Sequence, residues 1–140
     1  MIKFKFIDNQ KNIWCRVRKK YVVSQPEEKV RQEFIEYLHK EKSYPLSLMK
    51  VEKLVQYPNM LKRSDIIVYD RNGTAKMLIE CKSPNVKISQ SVFQQISEYN
   101  KTLHAPYLTV TNGKTHYCSK INFSSGDIKF LKDIPNFKEL

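Results

Sequence analysis

Glycine is scarce in this chain, with only Gly73, Gly113 and Gly126 among 140 residues. None stands in a GxxxxGK[ST] loop, so the chain carries no ATP site of that kind. Two follow asparagine and the third lies in SSGD, which marks all three as turn residues. Cysteine is equally sparse: Cys15, Cys81 and Cys118 are scattered, odd in number and without CxxC spacing. That excludes a disulfide framework and a structural zinc site. His39, His104 and His116 are far apart and form no HxxxH pair, which argues against zinc hydrolysis. No apolar run approaches the ~18 residues of a membrane span. The N-terminal stretch MIKFKFIDNQ lacks the apolar centre of a signal peptide. The cytoplasm is the expected compartment, with no membrane partner.

Acidic charge is also in the minority. Lys and Arg number 25 against 14 Asp and Glu, a net charge of +11. A surface of that sign favours an anionic partner, nucleic acid first, although a basic surface that only aids solubility accounts for the charge equally well. The hydrophobic fraction of 41% and the length of 140 residues fit one folded domain with a real core.

The order of elements reads ββ-α-β-β-β-α-β-β, a mixed α/β domain. KFKFI and IWCRV flank DNQKN and predict an N-terminal hairpin over residues 1–20. SQPEEKVRQEFIEYLHKEK predicts a helix. Ser24 or Gln25 sits at its cap, Pro26 is in the first turn, and Glu27 and Glu28 stand at the positive end of the dipole. Val30, Phe34, Tyr37 and Leu38 form its apolar stripe. SLMKVEKLV reads as a strand and YPNMLKRS as a polar connection. DIIVYD and AKMLIEC read as paired strands, SQSVFQQISEYNKTLH as a second helix, and PYLTVT and THYCSKI as another strand pair. DIKFLKDIPNF can add a short edge strand. The domain divides into the hairpin, a core over residues 26–120 and a C-terminal extension over 121–140.

The central hairpin carries the sharpest deduction. Asn-Gly between apolar strands signals a two-residue type I′ turn. With Asn72 and Gly73 as the turn, counting back along both strands sets Asp65 opposite Glu80. Their Cβ atoms are then roughly 4.5–5.5 Å apart. Two facing carboxylates repel and need a cation, and Lys82 lies two residues beyond Glu80 on the same face. Ile66, Val68, Met77, Ile79 and Cys81 point to the other face, which is core. A Mg²⁺ or Mn²⁺ ion suits such a place, since hard cations are held by one or two carboxylates plus a substrate phosphate. The plainer reading is a charged cluster at a solvated strand end. A longer turn or a bulge would shift the register and part the carboxylates.

The helices offer further candidates. The stripe through Val30 and Phe34 passes through Glu27, which is therefore expected to point inward as a third carboxylate, with Glu28 in reserve. Both also suit a simple interaction with the helix dipole. In the second helix Gln95 and Tyr99 are four apart and share a face. Gln95 can hold a carboxylate, Lys or water, and Tyr99 a phosphate or base; both equally suit the rim of a packed helix.

These residues in this order resemble the PD-(D/E)XK nuclease superfamily: a helix with Glu, then SD opening a strand, IECK, and QISEY on a helix. PEEKVRQEFIEYL, RSDIIVYDRNG, LIECKSP, QQISEYN and APYLTVTNG are more closely similar to the N-terminal nuclease domain of type I restriction enzyme R subunits, from about Pro26 to about Tyr117. The resemblance implies a restriction-endonuclease-like mixed sheet flanked by helices, with an αβββαβ core. It implies a Mg²⁺-dependent (or Mn²⁺-dependent) nuclease hydrolysing the phosphodiester bonds of DNA, with restriction–modification or motor subunits as partners. Asp65 and Glu80 would be metal ligands, joined by Glu27, with Lys82 the catalytic lysine. Glu27 or Glu28 would be the helix-one acid, and Gln95 and Tyr99 the supporting motif. Ser64 departs from the family's usual proline, a position that shapes the backbone and carries no chemistry. R subunits also carry an ATP-driven motor, which is missing here, so the expectation is a stand-alone nuclease-like protein or an excised domain. The competing expectation is a non-catalytic module that keeps the nuclease fold and binds nucleic acid or a protein partner.

Overall fold

A computed structural model describes residues 2–51 and 66–140 in full, and 54–57 and 60–63 by backbone course alone. The chain opens with three strands, β1 (Phe4–Ile7), β2 (Gln10–Cys15) and β3 (Lys20–Val23). They form an antiparallel sheet, one strand more than the hairpin expected from KFKFI and IWCRV. Asp8 and Asn9 both take positive φ, 51° and 64°, and close a two-residue turn between paired Ile7 and Gln10. Helix α1 follows at Pro26–Lys42 with Gln25 at its N-cap, as the Pro and the two acids predict.

Strands β4 (Met49–Val51), β5 (Leu54–Tyr57), β6 (Met60–Arg63), β7 (Ile66–Tyr69) and β8 (Ala75–Cys81) come next. The segment expected as a single strand plus a polar connection is thus three strands. β5 and β6 pair with each other as a separate hairpin in which Leu54 faces Arg63 and Tyr57 faces Met60. Helix α2 (Gln90–Leu103), β9 (Tyr107–Thr111), β10 (His116–Ile121) and β11 (Ile128–Leu131) complete the chain. Ser89 caps α2 by accepting from the Val92 amide.

Six strands make the main sheet in the order β11-β10-β9-β8-β7-β4. Only β8 and β9 run parallel, which requires a crossover, and α2 supplies it. On one face α1 lays Val30, Phe34, Ile35 and Leu38 against Ile66, Val68, Met77, Ile79 and Cys81. On the other, Ile96 of α2 meets Ile67, Leu78, Leu108 and Val110. Both faces of the central strands are covered, so β7, β8 and β9 read as nearly unbroken apolar runs. The expected αβββαβ core is this three-layer arrangement. The C-terminal stretch joins it: β11 extends the sheet, and Ile134, 2% exposed, enters the α1 side of the core.

Candidate active site on the central hairpin

The register of β7 and β8 decides which side chains meet. Ile66 faces Ile79, Ile67 faces Leu78 and Val68 faces Met77, the register expected from the sequence. The route to it is different. Asp70, not Arg71, closes the loop against Thr74, through Asp70 N–H to Thr74 O at 2.9 Å. Gly73 donates to Asp70 O at 3.1 Å and takes φ +81°, so three residues turn the chain where two were expected. The Asp70 carboxylate secures the loop by accepting from the Asn72 and Thr74 amides, both at 2.9 Å. That loop alone would shift the ladder by one residue. A bulge between Val68 and Tyr69, opposite Lys76, shifts it back. Two one-residue departures therefore cancel before the Glu80 end of the hairpin.

At that end, Glu80 alternates with Ile79 and Cys81 and so shares the α2 side with Leu78. It is 9% exposed. Lys82 Nζ lies 3.2 Å from Glu80 Oε1. The Lys82 amide donates to Thr111 O at 2.8 Å, which prolongs the parallel ladder past the end of β8 and holds the lysine backbone in place. Asp65, expected opposite Glu80, lies outside the described residues. Among the described residues there is no group of three His, Cys, Asp or Glu that could hold a metal ion.

The helix-one acids are exchanged relative to expectation. Glu27 is exposed, while Glu28 is 7% exposed and points inward. The reason is that α1 is covered on two flanks. Val30 and Phe34 meet the main sheet, and the stripe Glu28, Gln32, Glu36 meets the chain between β2 and β3. Glu28 accepts from Arg18 Nη2 at 2.8 Å, Arg31 Nη1 at 2.6 Å and Gln32 Nε2 at 2.9 Å. Gln32 Oε1 accepts from the Arg16 amide, and Glu36 pairs with Arg16 and Lys40. Burial alone would raise the Glu36 carboxyl, but hydrogen bonds and charge from Arg16, with help from Lys40, outweigh it and hold the group at about 2. Glu28 is thus the centre of a clamp between the N-terminal sheet and α1. It lies on the α1 side of the main sheet, whereas Glu80 faces the α2 side.

Helix α2 does lie on the Glu80 side. Tyr99 is half-buried against the Ile67–Leu78 cluster, and Gln95, one turn earlier, is exposed. A further residue supports the Lys82 segment without having been singled out from the sequence. Asn112 donates from Nδ2 to Val86 O at 2.9 Å, and its Oδ1 accepts from the Lys114 and Thr115 amides. It ties the β9–β10 turn to the loop that follows Lys82. Its signal was present in the Asn-Gly pair, but an Asn before Gly reads first as an ordinary turn residue. The three cysteines are buried, and Cys81 faces the α1 core as expected.

A mixed sheet between two helices, with the acid and lysine of ExK at the end of the strand before the crossover, defines a restriction-endonuclease-like domain. Residues 26–135 match the family described as Type I restriction enzyme R protein N terminus, and the chain belongs to that family. It is also similar in fold to a structure from Vibrio vulnificus YJ016 assigned as a fragment of the HsdR subunit of a type I restriction enzyme. The TM-score is 0.60 at 19% identity, over 83% of this chain and 24% of that one. The chain therefore spans about a quarter of the neighbour's length. Among the curated proteins none matches. No helix among the described residues is long and apolar enough to cross a membrane.

Proposed function

We propose that this chain is a divalent-metal-dependent nuclease that hydrolyses phosphodiester bonds of DNA, acting in the cytoplasm with restriction–modification or motor subunits. The observation that carries the reading is the Glu80–Lys82 pair, 3.2 Å apart at the end of β8, in a member of the R protein N-terminal family. The hairpin register supports Asp65 as the carboxylate opposite Glu80, because Ile66, the next residue, faces Ile79.

The donors suit a hard cation. Glu80 and Asp65 would hold Mg²⁺ or Mn²⁺, with the scissile phosphate and water supplying the remaining oxygens. When bound, such an ion neutralises charge that develops on the phosphate. Glu80 does a second task in this chain, since its carboxylate, 3.2 Å from Nζ, orients the Lys82 side chain. Lys82 then donates hydrogen bonds to the attacking water or to the phosphate oxygens as negative charge builds up. Gln95 and Tyr99 serve from α2, the helix on the same side of the sheet, as polar contacts to the substrate strand. Glu28 is engaged by three donors and serves the fold, while Glu27 is too exposed for the inward role expected of it.

The test is cleavage of single- and double-stranded DNA with Mg²⁺ or Mn²⁺. Asp65→Ala, Glu80→Gln and Lys82→Ala should each lower the rate by about 10²-fold or more while the fold is kept. Unchanged cleavage in Asp65→Ala and Lys82→Ala would remove the site assignment. Metal-independent binding without cleavage of any nucleic acid would favour the binding module that retains the nuclease fold.

A further inference from the structure

The N-terminal sheet precedes residues 26–135, the part of the chain that the family match covers. It also carries half of the large hydrophobic side chains that stand exposed among the described residues: Phe4, Phe6, Ile7 and Val23, with Phe6 71% exposed. By strand alternation Ile7 and Val23 lie on the face that carries Trp14 and Tyr21, whereas Phe4 and Phe6 share the face of Ile13 and Cys15. The sheet is basic as well. Residues 2–23 hold seven Lys or Arg and one acidic residue, Asp8. Arg16 and Arg18 are occupied by Glu36 and Glu28. Lys3, Lys5, Lys11, Lys19 and Lys20 have no carboxylate partner among the described residues.

Strand alternation sorts these groups by face. Ile13 and Cys15, both 0% exposed, point toward α1. The outer face therefore carries Lys5 from β1, with Lys3 just before that strand, Trp14 from β2 and Tyr21 from β3. Trp14 and Tyr21 face each other across the ladder. Their rings meet edge to face, with centroids 5.1 Å apart at 66°, so neither covers the other as a parallel stack would. Lys5 Nζ sits 5.5 Å from the Tyr21 ring centroid. The backbone N–H of Trp14 donates to Lys3 O at 2.9 Å, which sets the Lys3 backbone beside the indole.

Aromatic rings interleaved with unpaired cations on a sheet fit a polyanion whose repeating units are themselves flat and apolar. That describes a nucleic-acid strand with its bases unpaired. Bases stack on ring faces, and the phosphates between them take the ammonium groups. A duplex offers the phosphates but keeps its base faces inside.

We propose that the outer face of the N-terminal sheet binds single-stranded nucleic acid, with Trp14 and Tyr21 as the stacking platform and Lys3 and Lys5 as the phosphate contacts. The site is separate from the Glu80–Lys82 pair and gives the domain a grip on an unpaired strand. It does not rest on cleavage.

Trp14 is the only tryptophan in the chain, so its fluorescence reports on this face directly. The full chain is titrated with dT15 and with U15 in EDTA, beside a blunt duplex of the same length. Saturable quenching by a single strand is expected, with affinity that weakens steeply as salt rises. Lys3→Glu with Lys5→Glu should weaken binding by about tenfold or more. Tyr21→Ala should weaken it by about fivefold or more. Circular dichroism checks that each variant is folded. Should the tyrosine variant fail to fold, the lysine pair on the surface still decides the matter. The two single-strand arms distinguish DNA from RNA as the source of the strand. Binding of neither, binding without quenching, equal quenching by the duplex, or affinity unmoved by the lysine changes overturns the proposal. Because EDTA excludes metal chemistry, failure here leaves the nuclease reading untouched, and a lack of cleavage leaves this one untouched.

Discussion

Replacing Glu28 by Ala should be among the most damaging single changes in this domain, while Glu27→Ala should be nearly silent. Glu28 is 7% exposed, and its carboxylate takes hydrogen bonds from two guanidinium groups and one amide. Removing it takes from Arg31, 5% exposed, the carboxylate that it contacts at 2.6 Å. Breaking a buried pair from one side costs about 3–5 kcal/mol, because the surviving charge stays desolvated. The Arg18 side chain is 16% exposed and recovers some hydration, so the lower end, about 3 kcal/mol, applies. For a domain of this size that is a fall in Tm of roughly 10 °C. Glu28→Gln keeps the shape and one acceptor oxygen and should lose about half as much. Exposed Glu27 makes no ion pair or side-chain hydrogen bond among the described residues, so its alanine variant, losing an interaction with the helix dipole, should cost under about 1 kcal/mol. Urea unfolding followed by both circular dichroism and Trp14 fluorescence measures this, since Trp14 sits in the sheet that Glu28 clamps. A Glu28→Ala loss under about 1 kcal/mol, or equal losses at both positions, would refute the clamp.

Two further outcomes follow from the same contacts. The Glu36 carboxyl lies at about 2 in the folded chain against an ordinary 4.5. Folding therefore favours its ionised form. That contribution is complete above about 4.5 and is lost as the pH falls toward 2. Glu36→Gln should flatten the acid side of a plot of urea midpoint against pH, and an unchanged slope would dismiss the Arg16–Glu36 pair as a stabilising contact. Asn112→Ala removes the bond to Val86 O and the acceptor for two turn amides, and should cost about 2 kcal/mol. Hydrogen exchange should quicken in peptides covering both 83–89 and 111–116, and protection unchanged in both would show that Asn112 does not brace the loop after Lys82.

How much of the site could be read in advance depended on the kind of periodicity involved. A strand repeats every two residues, so the apolar spacing of IIVY and AKMLIEC sorted Glu80 and Lys82 from Ile79 and Cys81 without any tertiary information. The register came out as expected even though the loop was one residue longer, because burial on both faces penalises a slipped ladder and a bulge restores it. Helix phase is less constrained. Val30, Phe34 and Tyr37 suggested one buried stripe, and that stripe passes through Glu27. The second buried flank is made of Glu28, Gln32 and Glu36, residue types that look solvated until Arg16 and Arg18 are brought from another sheet to satisfy them.

The sequence by itself determined the two helices, the pairing of the strands around Asn72-Gly73, the inward course of Cys81, and the common face of Glu80 and Lys82. All of these follow from local rules of repeat and turn chemistry. Only the tertiary structure decided that both faces of β7 and β8 are buried, that the N-terminal strands form a sheet with a free basic and aromatic face, and that Glu28 and not Glu27 turns inward. Each of those depends on which distant element covers a surface, and a buried carboxylate is tolerated only where a partner from elsewhere in the chain arrives to meet it.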